Sequence, residues 1–151
     1  MTRPQEEQKT RPRLLLEVIS ADKTVLSQKV DRVVLPGAEG DLTVLPDHFP
    51  LISHLNIGIV EYYDEDEVIY CFVNGGVAQV GADKVIVVTP SAEIDTEIDL
   101  SRAQAALERA RKKLKSPANE KQAFWARSAT RRADVRLEVK SLLKQKQEEN
   151  T

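Results

Sequence analysis

The sequence is poor in the residues that staple or ligate. It has a single cysteine, Cys71, so no disulfide can close within the chain, and a reducing, cytosol-facing location fits best. Its two histidines, His48 and His54, have no Cys, Asp or Glu cluster at ligand spacing, so no metal site is expected and a structural role beside a proline-rich turn is the first reading. No apolar run approaches the roughly 18 residues of a membrane span. Residues 1–13 lack an apolar stretch and carry Glu6 and Glu7, which excludes a secretory signal and argues against a transit peptide. Neither G-x-x-x-x-G-K-[ST] nor G-x-G-x-x-G occurs, so no glycine loop is available to cradle phosphate. No nucleophile–base pair or carboxylate dyad stands out, and the chain is not expected to catalyse by itself.

Charge is present in quantity but unevenly. The 151 residues carry a formal net charge of −2. Residues 1–99 hold 8 basic and 18 acidic side chains, whereas residues 100–151 hold 14 basic and 6 acidic. Two oppositely charged modules with different partners are implied.

Breakers divide the chain in the same place. All six glycines lie at or before Gly81, and after Pro90 the only proline is Pro117. Ahead of that boundary, segments 14–20, 29–35, 58–63, 68–73, 77–80 and 84–89 are rich in Val, Ile, Leu and aromatics. β-Branched side chains are stiff at χ1 and favour the extended pleat. Asn74-Gly75-Gly76 supplies positive-φ residues for a turn or bulge. The acidic stretch from Glu61 to Glu67 reads as a solvated hairpin tip, and Cys71, within a strand, as a buried inert thiol. The fold class expected is an N-terminal antiparallel β-sandwich followed by a C-terminal α-helical hairpin. Its divisions are a polar extension (1–13), the sandwich (14–97), the hairpin (98–147) and a frayed tail (148–151).

In the second part, Asp99 is placed to cap a helix whose apolar residues Leu100, Ala103, Ala106, Leu107, Ala110 and Leu114 form an i, i+3, i+4 stripe. Ser116-Pro117-Ala118-Asn119 breaks it, and a second helix runs from Asn119 or Glu120 to about Lys146, with Ala126, Ala129, Ala133 and Leu137 on one side. An alanine methyl buries little area, so an arm faced with alanine is expected to dock weakly and to come loose at roughly a few kcal/mol. Asp99, Arg102 and Arg109 fall within about 80° of one helix line. Arg132 and Arg136, at i and i+4, also share a face. Arginines on facing helices can converge on a polyphosphate through their guanidinium forks. The blander readings are a cap for Asp99, a local pair for Arg102 and solvated faces for the rest. Phe124 and Trp125 are expected to pack on the sandwich rather than stack on a base.

Three stretches stand out together: Gly40-Asp41-Leu42-Thr43-Val44-Leu45-Pro46-Asp47-His48-Phe49-Pro50-Leu51, Val73-Asn74-Gly75-Gly76-Val77-Ala78-Gln79-Val80 and Ile98-Asp99-Leu100-Ser101-Arg102-Ala103. They resemble, in order, the G-x-x-x-x-L-P-x-H-x-P-L stretch, the Gly-Gly strand and the I/L-D-x-x-R-A motif of one family, the epsilon subunits of the rotary F-type ATP synthase (delta in mitochondria). The resemblance covers about residues 14–145; residues 1–13 lie ahead of the usual family start.

The resemblance implies a central-stalk rotor subunit seated against the gamma subunit and the c-subunit ring, peripheral to the cytoplasmic face of a bacterial plasma membrane. Its hairpin either folds on the sandwich or extends along gamma to the alpha/beta hexamer, blocking ATP hydrolysis. It further implies a regulatory ATP site at Glu93, Asp99, Arg102, Arg109, Arg132 and Arg136, with ATP a regulatory ligand and not a required cofactor. Asp41 and His48 would face the stalk and the c ring. The basic arm suits an acidic segment of the beta subunit. Read without the resemblance, the same arm also suits nucleic acid, against which stand the slight net acidity and the lack of an RNA-binding aromatic signature. A hairpin-mediated homodimer is a third possibility.

Overall fold

In the computed structural model, residues 11–151 are described; the rest of the expected extension, residues 1–10, lies outside them. Eight strands precede two helices: β1 Leu14–Ile19, β2 Thr24–Val30, β3 Arg32–Gly37, β4 Gly40–Val44, β5 Leu51–Asp64, β6 Glu67–Val80, β7 Lys84–Val88, β8 Ala92–Ile94, α1 Leu100–Lys115 and α2 Glu120–Glu149. The sheet runs β2-β1-β7-β6-β5-β3-β4, with β8 added to β6. It is mixed, because β1 lies parallel to β7 while the other pairs are antiparallel. Inward residues of β1 to β7 form one buried cluster that includes Leu16, Val33, Val44, Val60, Val73 and Val85. A single curled sheet thus encloses its own core.

Several segments are longer or differently divided than the sequence suggests. The expected strand over 29–35 is two strands meeting at Asp31, whose N–H donates to the Tyr63 carbonyl at 2.8 Å. The part of β2 before Lys29, strands β4 and β8 and the first half of β5 have no expected counterpart. Asn74-Gly75-Gly76 does not end a strand: β6 pairs with β5 in one register along its whole length. Across the glycines β6 changes its other neighbour, from β8 at 71–73 to β7 at 77–80. Gly76 has φ +114, and a Cβ there would meet the Val88 carbonyl oxygen at 2.0 Å, so the crossing requires glycine twice over.

The hairpin tip is as expected, with Glu65 (φ 56) at the turn between β5 and β6, but it is tied down rather than simply solvated. Asp31 accepts the Glu65 N–H at 2.7 Å and pairs with Arg11 at 2.8 Å, while Arg13 pairs with Asp64. Residues 11 and 13 of the extension therefore clamp the β2–β3 turn to this tip.

Both helices start at the expected caps. Asp99 accepts the Arg102 N–H at 3.0 Å, and Asn119 the Gln122 N–H at 2.9 Å. Helix α2 runs to Glu149, past the expected end near Lys146. The hairpin lies folded against the sheet, but the alanine faces do not make that contact. Ala103, Ala110, Ala126 and Ala133 are buried, and Ala126 and Ala133 turn toward α1. Val135 and Val139, some 200–240° round the helix from Ala133, pack with Ile98 on Phe72, flanked by Ile57, Ile59 and Tyr70. Helix α2 is thus buried on two opposite faces, which a single-stripe reading cannot register. Leu137 is only half-buried. Each fully buried valine contributes about 1.5–3 kcal/mol, so the dock is firmer than alanines alone would give.

Candidate functional site

Period-two alternation on β6 points Cys71 and Val73 into the core and Phe72 out toward the arm. Glu93 on β8 is paired directly with Phe72 and emerges on the same face. Helix α2 brings Arg136 over both: its guanidinium carbon lies 4.2 Å from the Phe72 ring centroid, and its Nε donates to Glu93 Oε1 at 2.9 Å. Two lysines extend the seam, Lys140 donating to the Asp95 carbonyl at 3.0 Å and Lys146 to the Val68 carbonyl at 2.7 Å. The buried Asp95 carboxylate accepts the Tyr70 N–H at 3.2 Å, which fixes the turn just ahead of α1.

Glu93, Asp99, Arg102, Arg109 and Arg136 line one recess of about 230 Å³, with Glu97 at its edge. Arg109, Arg132 and Arg136 line an open cleft of about 780 Å³ between the helices. Arg109 and Arg136 belong to both, so the two spaces adjoin and all six expected residues surround them. Among the described residues, Arg102, Arg109 and Arg132 form no ion pair, and Arg136 pairs with Glu93. Cations held at a cleft without carboxylate partners are suited to an anionic ligand, and guanidinium forks to phosphate in particular. Asp99 also fills its blander role, as helix cap.

Asp41 and His48 are not brought together. Asp41, the second residue of β4, lines a groove beside α2, whereas His48 lies beyond the other end of β4. His48 stacks on Phe49, with ring centroids 4.7 Å apart, and its Nδ1 is 2.7 Å from the Phe49 carbonyl oxygen. No group of three or more His, Cys, Asp or Glu side chains able to hold a metal occurs among the described residues. Cys71 is fully buried, and burial, reinforced by the nearby carboxylates of Asp95, Glu97 and Glu93, pushes its thiol up to about 12.

Trp125, 64% exposed, does not pack on the sandwich, and Phe124, 60% exposed, only lines an open groove with Leu55 and Ile57 of β5 and Gly75 of β6. The reason is where α2 buries its valines on the sheet, at Val135 and Val139, about three to four turns beyond them. Trp125 instead lines the interhelical cleft, with the Lys121 ammonium 5.7 Å from its ring. This residue was legible: Trp125, Ala129, Arg132 and Arg136 lie at i, i+4, i+7 and i+11, one face of a helix.

A β domain followed by a long helical domain is what two family profiles describe. The β-sandwich domain of the ATP synthase delta/epsilon chain matches residues 13–95, and its long α-helix domain matches residues 96–141. The chain belongs to the delta/epsilon family of F-type ATP synthase subunits. Curated relatives are epsilon chains: that of Lawsonia intracellularis is 46% identical over 101 residues, covering 67% of this chain and 76% of its own. That of Syntrophobacter fumaroxidans is 39% identical over 127 residues, covering 84% and 95%. Among solved structures, a chain of the Euglena gracilis mitochondrial ATP synthase OSCP/F1/c-ring assembly superposes with a TM-score of 0.73 at 25% identity, covering 89% of this chain and 87% of that one.

Proposed function

We propose that the chain is a non-catalytic rotor subunit that couples proton translocation to ATP synthesis and restrains ATP hydrolysis through its hairpin. The observation that carries the reading is the division of the arginine site between two bodies. Glu93 stands on the sandwich, while Asp99, Arg102, Arg109, Arg132 and Arg136 stand on the arm and its hinge. A nucleotide triphosphate held by this set favours the folded arm, because the set is complete only when the arm is down. At a hundred times its dissociation constant, such a ligand adds about 2.7 kcal/mol to the folded state.

In this reading the chain divides at 97/98. The extended arm, with its surplus of cations, meets an acidic surface of the alpha/beta hexamer. Ile52, Val77 and Val88 are exposed on the outer face of β5, β6 and β7, which suits a seat on gamma, and the Asp41 and His48 ends of β4 would turn to the stalk and c ring. No helix among the described residues is long and apolar enough to cross a membrane, in keeping with a peripheral subunit held at the cytoplasmic face by its partners.

Truncation after Glu97, assayed in the assembled enzyme, tests the inhibitory arm: ATP hydrolysis should rise with coupling retained, and unchanged hydrolysis would count against inhibition. Titration of ATP into the isolated protein tests the ligand. Absence of both heat and a shift in thermal midpoint at millimolar ATP would remove it.

A further inference from the structure

We infer that the N-terminal extension controls the hold on the far end of the arm. Arg11 and Arg13 fix the β5–β6 tip in the shape that receives Lys146 of α2, so that losing or diverting these arginines loosens the folded arm. The inference does not rest on the nucleotide reading, since the tip and the arginine site share no residue.

The last turns of α2 need a tie. Beyond Leu143 the helix runs Lys144-Gln145-Lys146-Gln147-Glu148-Glu149, with no apolar side chain to bury. Of these six residues only Lys146 is half-buried, and its ammonium donates to the Val68 carbonyl at 2.7 Å. That carbonyl is free to accept because β8 covers the outer edge of β6 only at 71–73, so no strand lies beside Val68 there. Val68 follows Glu67, which closes the β5–β6 ladder opposite Asp64. The place of the acceptor is therefore set by the tip, and the tip is held from outside. Glu65 has a left-handed backbone (φ 56), which non-glycine residues adopt at a cost. Asp31 offsets that cost by accepting the Glu65 N–H at 2.7 Å. Arg11 grips both residues, its Nε 2.8 Å from Asp31 and a second guanidinium nitrogen 3.8 Å from the Glu65 carboxylate. Arg13 pairs with one oxygen of Asp64 and donates to the Lys29 carbonyl at 2.8 Å, while Gln28 donates to the other Asp64 oxygen at 2.9 Å. The arginines thus reach the tip from the β2–β3 turn, which borders β5, and Lys146 reaches it from the free edge of β6. Release on the first side lets the left-handed residue relax and shifts the acceptor on the second. Arg11 precedes the first residue that the family profiles match, and Lys146 follows the last.

The test uses the full chain and native-state hydrogen exchange of the α2 amides over 141–147. Lys146→Met keeps the apolar stem and removes the donor, and should speed their exchange about five-fold. Arg11→Gln combined with Arg13→Gln, at residues bonded to the tip and not to α2, should reproduce most of that acceleration. With Lys146→Met already present, the two arginine changes should add less than about two-fold, because both act through one tie. Amides of Val85 and Val87 on β7 should be unaltered in every variant. Unchanged 141–147 exchange in the arginine double variant would overturn the inference, by confining the clamp to the tip. Full additivity with Lys146→Met would overturn it by showing two separate routes, and equal acceleration on β7 by showing a general loosening of the sheet. Lys146→Met without effect would overturn it as well, since the end of α2 would then need no tie. Should the double variant fail to fold, Arg11→Gln alone carries the test, at a mostly exposed side chain. An acceleration of about two-fold over 141–147 is then expected, and no change would overturn the inference.

Discussion

Val139→Ala is the substitution that most directly weighs the dock between arm and sheet. Val139 is fully buried against Phe72 with Val135 and Ile98, and it lies on the face of α2 opposite its contact with α1. The change removes two carbons from an apolar interface, at about 0.8 kcal/mol each, and leaves a small cavity that the neighbouring Val135 and Phe72 fill only in part. Together these weaken docking by about 1.5–3 kcal/mol, a ten- to hundred-fold change in the docking equilibrium. The helix–helix contact through Ala103, Ala110, Ala126 and Ala133 is untouched. Released from the sheet, however, helices of this length are marginal in water and fray. Native-state hydrogen exchange should therefore show α1 and α2 amides exchanging ten to a hundred times faster, with those of Leu16 on β1 and Val87 on β7 unaltered. Equal acceleration in helices and strands would refute the reasoning, since arm and sandwich would then open as one unit. Unchanged helix exchange would refute it differently, by showing that Val139 does not bear the dock.

Two further outcomes follow from the perturbed groups. Cys71 should resist alkylation at mildly alkaline pH in the native protein and react on denaturation, since its thiol is buried and pushed up to about 12; rapid native labelling followed by mass spectrometry would contradict this. Asp31 is held below the ordinary carboxylate value by the Glu65 N–H first and by Arg11 and Arg13, with burial opposing, so its contribution is present above that value and is lost as pH falls through the lowered one. Asp31→Asn should accordingly flatten the acid limb of the stability–pH curve below about pH 4, and an unchanged limb would show that the clamp does not depend on the charge.

What the sequence revealed and concealed follows from how local each cause is. Asp99 and Asn119 cap helices through bonds three residues away, so both helix starts were legible. The convergence of Arg102 and Arg109 with Arg132 and Arg136 was legible from helix periodicity and the short Ser116–Asn119 connection. Glu93 was not visible that way. It reaches Arg136 only because β8 pairs with β6 at Phe72, a non-local contact made by a three-residue strand too short to carry a pattern. The first part of β2 was concealed by Thr24, Ser27 and Gln28, which leave only Leu26 buried ahead of Lys29. The Gly75-Gly76 pair read as a break because glycine marks turns more often than it marks a strand passing close to another backbone, as β6 does at Val88. The valines of the dock were overlooked because an alanine stripe on the other side of α2 already accounted for one buried face.

That two-sided burial of α2 bears on what can happen when the arm leaves. Lifting the hairpin bares Val135 and Val139 on a mobile rod and Phe72 and Ile98 on the platform in one step, and it strips Arg136, Lys140 and Lys146 of their acceptors. Water is a poor host for two such newly wetted apolar surfaces. An isolated subunit should therefore keep itself closed, and the open form belongs to settings in which a foreign surface, apolar in its middle and rich in oxygen acceptors at its rim, takes over what β6 and β8 let go.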